Sequence, residues 1–556
     1  MKKTLALALA LLLILAQLCA PSLSAADLRR IECREMPFYR NGQKSDETVS
    51  LYFLDGVGDL PYIAVDEIAG ILGANCRIEG DQAVFSYGNG YHMTLDYRAD
   101  TIVFDDYDGF LMGREGNAST LLDPICMPCF NEAGEPALFE KNTDFSFDRY
   151  GDEITLKLSD YGIELVSQGG LYLAPIQTIV DFVIAPRDGM GFFYNGQAVI
   201  LGGASDLASE DSPYYSAPKG LRSEALCRYG YGELCLMLDC LYGQKENHGI
   251  ESFDQLFQQI GFDTPLLDPN PEEADLAIYY LINRYLDDLH SSFGDYSYLT
   301  DTDITGIEPG DSYTRMVERL NAHREARNAV WPDDGYPAYE EVGNTAYIAF
   351  DGFVLATANP EDYYASEVPQ DTIGLIIKAH EQITRPDSPV ENVVIDLSCN
   401  TGGAVDAAAF LLAWCLGEGS IAQKDTFTGA MSRTKVRADV NRDRAFDERD
   451  TIRDRNIFCL ISPASFSCGN LVPSMFKESG RVTLLGRTSG GGSSLVMGAS
   501  SAWGTSFRLS GPFRMSFLKN GSFYDIDRGV EPDFILTTPG KYYDREALTE
   551  TINQLY

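Results

Sequence analysis

The chain has 556 residues, 45% of them hydrophobic and 22% charged, a globular composition that excludes fibrous and disordered classes and is long enough for at least two cores. Its 82 acidic residues against 43 basic ones give a formal net charge of −39. Nucleic acid and anionic lipid are recognised by surplus Lys and Arg, so both are excluded as partners.

The N-terminus reads Met1-Lys2-Lys3, an apolar run from Leu5 to Leu18, then Pro21-Ser22-Leu23-Ser24-Ala25-Ala26-Asp27. A short basic region, a short apolar core and small residues before a polar start predict an export signal peptide over 1–26 and a secreted mature chain. The alternative is an uncleaved membrane anchor, against which the apolar core falls short of the ~20 residues a bilayer requires. No later segment is long and apolar enough to span after cleavage. Cys19 lies in the leader, and the other eleven of the 12 cysteines are scattered, which is not the pattern of a disulfide framework. Cys126-Met127-Pro128-Cys129 is a lone CxxC, readable as a local disulfide, half a metal site or neither.

Within 27–204, two stretches resemble each other: Asp59 to Val65 leading into Asp66 to Leu72, and Gly170 to Pro175 leading into Ile176 to Phe182. Each reads as a short strand running into a short amphipathic helix, which predicts a non-catalytic α+β region built on a duplication. A Ser/Asp/Pro/Tyr-rich link follows Gly203. Apolar residues at three- and four-residue spacing then predict helices over Leu221–Leu241 and Glu272–Leu289, in a helical cap over 205–340.

From Thr345 the pattern alternates. Strands Ala346–Phe350, Val393–Leu397, Ile457–Ile461 and Val482–Gly486 are separated by helices Ile373–Ile383, Ala404–Cys415 and Gly469–Ser479. This alternation predicts an α/β fold with a largely parallel sheet, whose sites sit where strand ends meet helix starts.

Three turns in this block carry chemistry. Ser398-Cys399-Asn400-Thr401-Gly402-Gly403 places adjacent glycines before a helix, where backbone N–H groups can face a developing anion. Ser462 to Asn470 places serines at a strand-to-helix turn, the position of an exposed nucleophile but also of an ordinary helix cap. Arg487 to Ser493 holds Gly490, Gly491 and Gly492, where a peptide strand can approach closely. Separately, Asp439, Asn441, Asp443, Asp447 and Asp450 stand at positions 1, 3, 5, 9 and 12 of a calcium-loop pattern, with Arg444 where glycine is expected. A structural calcium site and a solvated charged loop both remain open there.

The ordered set Asp396 to Gly403, Phe466 to Asn470, Gly486 to Gly492 and Gly529-Val530-Glu531-Pro532-Asp533 resembles the tail-specific (C-terminal-processing) serine protease superfamily, over about 341–556. The resemblance implies a crotonase-like α/β core and hydrolysis of a peptide or protein substrate with no cofactor required for catalysis. One branch uses a lysine in the third turn, absent here. The chain is similar to the other, tricorn-core and retinoid-binding-protein-like branch, which implies Ser467 as nucleophile and a histidine from an upstream helix end. Among the five histidines, His290 in Asp287-Asp288-Leu289-His290-Ser291-Ser292 matches, and a neutral imidazole is a natural base near pH 7. The branch's glutamate position is Asn470 here. The resemblance further implies an acidic residue near the last strand to orient the imidazole, with Asp525, Asp527 and Glu531 as candidates and Ser291 as a relay. The oxyanion hole falls to the N–H of Cys468 with that of Gly402 or Gly403. Gly490 to Gly492 are assigned to substrate binding. The rival expectation is a catalytically silent peptide- or lipophile-binding protein on the same fold. Oligomeric state is not legible.

Overall fold

The structure is a computed structural model and describes residues 29–88, 90–112, 121–188, 191–202, 207, 212–301, 309–333 and 335–555. The predicted leader lies outside the described residues. Among these residues no helix is long and apolar enough to cross a membrane.

The fold is mixed α/β. At its centre, Thr345–Ala349 (β1), Asn392–Asp396 (β2), Asn456–Ile461 (β3) and Val482–Gly486 (β4) lie side by side in chain order, all parallel. The hairpin strand Tyr339–Val342 and the short Phe534–Ile535 close the two edges. Runs such as Val393-Val394-Ile395 and Phe458-Cys459-Leu460 are buried on both faces, which is why they read as unbroken apolar stretches. One face is covered by helices Val405–Leu416 (α1) and Cys468–Ser479 (α2), the other by the C-terminal helices around Tyr542, Tyr543, Leu548 and Ile552. A buried ion pair, Arg545 to Asp396 at 3.2 Å, ties that second layer to the end of β2.

Beyond α1 lies an antiparallel sheet in the order Ser292–Asp295, Ser506–Ser516, Gly419–Asp425, Met431–Ala438, Phe139–Asp148, with Ser494–Ser500 along the other side of Ser506–Ser516. The sequence pattern did not show this sheet. Its outer strand comes from the first 150 residues, and Ile125, Met127, Leu138 and Phe139 belong to the same apolar core as α1 and β2.

The two similar N-terminal stretches each form a strand and a helix: Tyr62–Ala64 into Val65–Leu72, and Leu171–Pro175 into Ile176–Ile179. Their strands pair antiparallel with each other, Ala64 opposite Leu173 and Tyr62 opposite Pro175, inside a seven-stranded sheet. This region shares one core with the helix Glu224–Leu241, with Pro271–Tyr280, and with Trp503, Phe507 and Leu509 of the antiparallel sheet.

Candidate active site

The three Gly- and Ser-rich turns all leave the carboxyl edge of the parallel sheet, because β2, β3 and β4 run in register and end together. Side chains of the turns then bind them to one another. Asn400 donates from Nδ2 to the Phe350 carbonyl, accepts at Oδ1 from the Gly402 N–H at 2.9 Å, and its own carbonyl accepts from Phe466 N–H at 3.0 Å. Ser465 Oγ is buried and donates to the Leu397 carbonyl, so this serine is a structural part of the turn.

Ser467 is different. It is half-buried between buried neighbours, caps the N-terminus of α2, and sits at φ 56°, ψ −123°. A non-glycine residue held there costs on the order of 1–3 kcal/mol, which the surrounding hydrogen bonds must offset. Ser467 N–H donates to Gly491 O, Gly490 N–H donates to Ser465 O, and Phe466 pairs with Gly491 as a short parallel bridge. Among the described residues Ser467 Oγ makes no hydrogen bond.

Gly402 shows how close the first turn comes. A Cβ added to it would lie 2.6 Å from Ser467 Cβ and 3.0 Å from Ser467 Oγ, and its φ of 105° already excludes other residues. Cys468 Sγ donates to the Gly403 carbonyl at 3.2 Å, holding the two turns together. The Gly402 N–H is occupied by Asn400, whereas among the described residues those of Gly403 and Cys468 donate to no protein acceptor.

His290 enters from outside the parallel sheet. The helix Pro271–Tyr280 widens into a π-helical segment, Leu281–Leu286, and Asp287 at φ 42° ends it. The strand Ser292–Asp295 then joins the antiparallel sheet, so His290 is fixed between two anchored elements. Its imidazole packs on the ring of Phe466, centroids 4.6 Å apart, and a Cβ on Gly492 would lie 3.1 Å from His290 Cε1. Burial lowers the His290 pKa, opposed by the charges of Asp288 and then Asp527. The imidazole is therefore neutral near pH 7, the form a general base needs. His290 and Ser467 flank the same phenylalanine but are not hydrogen-bonded to each other.

Asp288 was not among the sequence candidates. Its carboxylate accepts from the N–H groups of His290 and Ser291 and from the hydroxyls of Ser291, Tyr242 and Ser510. An aspartate accepting from N–H groups two and three residues on is a turn-forming pattern, and that local signal is visible in Asp288-Leu289-His290-Ser291. Ser291 Oγ donates to Asp288 and accepts from Ser510 N–H, so it serves this turn and is not placed as a relay to the last strand.

Among the acidic candidates, Asp527 belongs to a partly buried network with Gln244, Asn247, Ser493 and Arg514 and influences His290 only through space. Asp525 pairs with Arg514 at 2.9 Å. Glu531 is exposed and makes no side-chain hydrogen bond or ion pair among the described residues, so it is not placed to orient the imidazole. Asn470, where the branch has glutamate, donates to the Ile526 carbonyl and accepts from Ser489 Oγ, tying α2 to the third turn.

The close approach that Gly490, Gly491 and Gly492 permit is to the chain itself, not to open space for a peptide. A Cβ on Gly491 would lie 1.9 Å from Asp527 O, and one on Gly492 would lie 2.5 Å from the Phe466 ring.

In the calcium-loop pattern, Asp439 accepts from Tyr364 OH and from the N–H groups of Asp443 and Arg444, and Asn441 accepts from Asp443 N–H. Asp450 accepts from three backbone N–H groups, while Arg449 pairs with Asp443 at 2.7 Å and Asp447 at 2.8 Å. Arg444, at φ 62° where glycine was expected, pairs with Glu361. Among the described residues no three His, Cys, Asp or Glu side chains gather as a metal site requires. Among the described residues no disulfide forms, Cys126 and Cys129 included.

The model of Peptidase family S41 matches residues 344–536, the stretch that holds β1 to β4, Gly402, Gly403 and Ser467. Over that stretch the chain is similar to peptidase family S41. His290 lies outside the matched residues, on the preceding segment. No curated protein matches the chain. Among solved structures the chain is similar to the photosystem II D1 C-terminal processing protease, at 18% identity over 35% of this chain and 42% of that one, TM-score 0.27. It is also similar to mature CPAF, at 12% identity over 59% of this chain and 98% of that one, TM-score 0.37. The tricorn protease matches at 13% identity over 89% of this chain and 45% of that one, TM-score 0.24. The chain thus spans less than half the length of the first of these.

Proposed function

We propose that this chain is a secreted serine endopeptidase in which Ser467 attacks the peptide carbonyl and His290 is the base. Export rests on the leader sequence alone. The observation that carries the catalytic reading is the conformation of Ser467. A half-exposed serine with a free hydroxyl is held at positive φ on a strand-to-helix turn, beside two unengaged backbone N–H groups.

In the proposed reaction the Ser467 hydroxyl proton passes to His290 as Oγ bonds to the carbonyl carbon. The oxygen that becomes negative is received by the N–H groups of Gly403 and Cys468, at the positive end of α2. The C–N bond then breaks and His290 delivers its proton to the departing amine. A water molecule, deprotonated by His290, then attacks the acyl carbon, and His290 returns the proton to Ser467 Oγ as the acid leaves. Asp288 acts as a positioning residue, clamping the turn that carries the imidazole and favouring its protonated form through space. The hydrogen bond between His290 and Ser467 forms when substrate enters, since catalytic hydrogen bonds commonly tighten only in the complex.

Cleavage of an unbiased peptide library, read by mass spectrometry, tests this reading. The wild type should cut internal bonds, and Ser467→Ala and His290→Ala should each lose on the order of 10⁴-fold in rate. Equal cutting by wild type and His290→Ala would remove His290 as the base.

A further inference from the structure

A cavity of about 730 Å³ opens between the N-terminal region and the antiparallel sheet, within the range that holds a small organic ligand. Its wall is chiefly apolar, with Phe193 on one side and Phe293, Phe427, Met497, Phe507 and Phe513 on the other. None of Ser467, Gly402, Gly403 and Cys468 lines it, so it is separate from the proposed catalytic centre.

One polar group on this wall is unusual. Asp181, 6% exposed, lies in the π-helical segment Val180–Ile184 and faces Glu233, which is fully buried on the helix Glu224–Leu241. Asp181 Oδ1 accepts from Gln177 Nε2 at 2.9 Å, and Asp181 and Glu233 hydrogen-bond each other, with no other donor to Asp181 Oδ2 or to either Glu233 oxygen among the described residues. Two carboxyls in contact inside a low-dielectric core cannot both ionise, so they share one proton. Glu233 keeps it, pushed well above the carboxylate range by burial and by Asp181, while burial raises Asp181 only to about 6. One negative charge therefore stays on the cavity wall at neutral pH. No Lys, Arg or His among the described residues pairs with it, and an uncompensated buried charge of this kind is costly.

The other charges on the wall add to the sign. Asp425 is also buried, although its oxygens are taken by Phe427 N–H and Thr428 Oγ1, and Asp295 is exposed at the rim. Against these three carboxyls stands one cation, the exposed Arg508. The cavity thus combines a large aromatic and aliphatic surface with a net acidic wall and one deep carboxylate that lacks a counter-charge.

We propose that this cavity is a binding site for an apolar ligand bearing a protonated amine, with its hydrocarbon part against the phenylalanines and its ammonium group on Asp181. The ammonium supplies the charge that the fold withholds, and the apolar part fills a space that would otherwise hold poorly bonded water. An alkyl carboxylate of the same length would bring a second anion beside Asp181 and bind less well.

Isothermal titration calorimetry with the full chain tests the assignment, using dodecylamine and dodecanoic acid as probes, both below micelle formation. Titrations are run on wild type and on Ser467→Ala, so that the outcome does not depend on proteolysis. Dodecylamine should bind saturably at one site on both, with dodecanoic acid weaker by about tenfold or more. Because the whole protein is acidic, the variants decide whether the cavity is the site. Met497→Trp, which fills it, should weaken dodecylamine by about tenfold or more with the far-ultraviolet circular dichroism unchanged, and Asp181→Asn should erase the preference for amine over acid. Unsaturable binding, equal affinity for the two probes, or undiminished binding to Met497→Trp would overturn the proposal.

Discussion

The imidazole of His290 rests on the ring of Phe466, the residue immediately before Ser467, with ring centroids 4.6 Å apart and planes tilted by 47°. Phe466 thereby couples the segment that supplies the base to the turn that supplies the nucleophile. Replacing Phe466 by alanine should release the imidazole and lower kcat by about tenfold to a hundredfold, because reacting groups are sensitive to displacements of about 1 Å. KM should change much less. Steady-state kinetics on a peptide substrate check this, and an unchanged kcat would show that the contact does not position His290.

Asp288 should be separable from His290 by its pH behaviour. The Asp288 charge raises the His290 pKa against the larger lowering by burial. In Asp288→Asn the opposing charge is gone, so the acidic limb of the kcat/KM profile should move to lower pH while the maximal rate falls. The variant also disturbs a site that accepts from five donors, which should cost about 1–3 kcal/mol of stability, measurable by urea unfolding.

Gly402→Ala should abolish activity while the chain still folds. The new Cβ would meet Ser467 Cβ at 2.6 Å, at a backbone φ of 105° that alanine resists. Strain of about 1–3 kcal/mol is expected from thermal unfolding, with a loss of rate far larger than that destabilisation accounts for. A fully active Gly402→Ala enzyme would contradict the placement of the first turn against the nucleophile.

How much of this was legible in the sequence differs by layer. The parallel strands were readable because residues such as Val393 to Ile395 and Phe458 to Leu460 are buried on both faces and leave continuous apolar runs. The antiparallel sheet was hidden by polar residues that face inward. Gln423, Ser432, Thr434, Ser510 and Ser516 are all buried in its strands, which erases the alternation that marks a half-buried strand. At the site, the glycine pairs and the serine turn stood out in sequence. The Asp288 cluster did not, because two of its donors, Tyr242 and Ser510, arrive from far along the chain.

His323 gives a stability prediction. It is buried between Tyr542 and Tyr543, and burial lowers its pKa to about 4 from an ordinary value near 6.5. The unfolded chain therefore takes up this proton before the folded chain does. The stabilisation from neutral His323 is complete above about pH 6.5 and is lost as pH falls toward 4, by about 3 kcal/mol at most. Denaturant unfolding of His323→Phe across that window should show a shallower loss of stability on acidification than wild type. Parallel pH curves for the two would refute it.

The loop from Asp439 to Asp450 should hold without metal, since Arg449 bridges Asp443 and Asp447. EDTA should leave the thermal midpoint unchanged, and Arg449→Ala should lower it by about 1–2 °C, as befits exposed ion pairs. A midpoint raised by added calcium and reversed by chelation would show that the loop binds the ion instead.

The most direct test of the central claim is covalent labelling with a fluorophosphonate, mapped by peptide mass spectrometry. The label should sit on Ser467, vanish in Ser467→Ala, and form far more slowly in His290→Ala. Labelling that persists in Ser467→Ala, or wild-type protein that stays unlabelled, would contradict the assignment of Ser467 as an activated nucleophile.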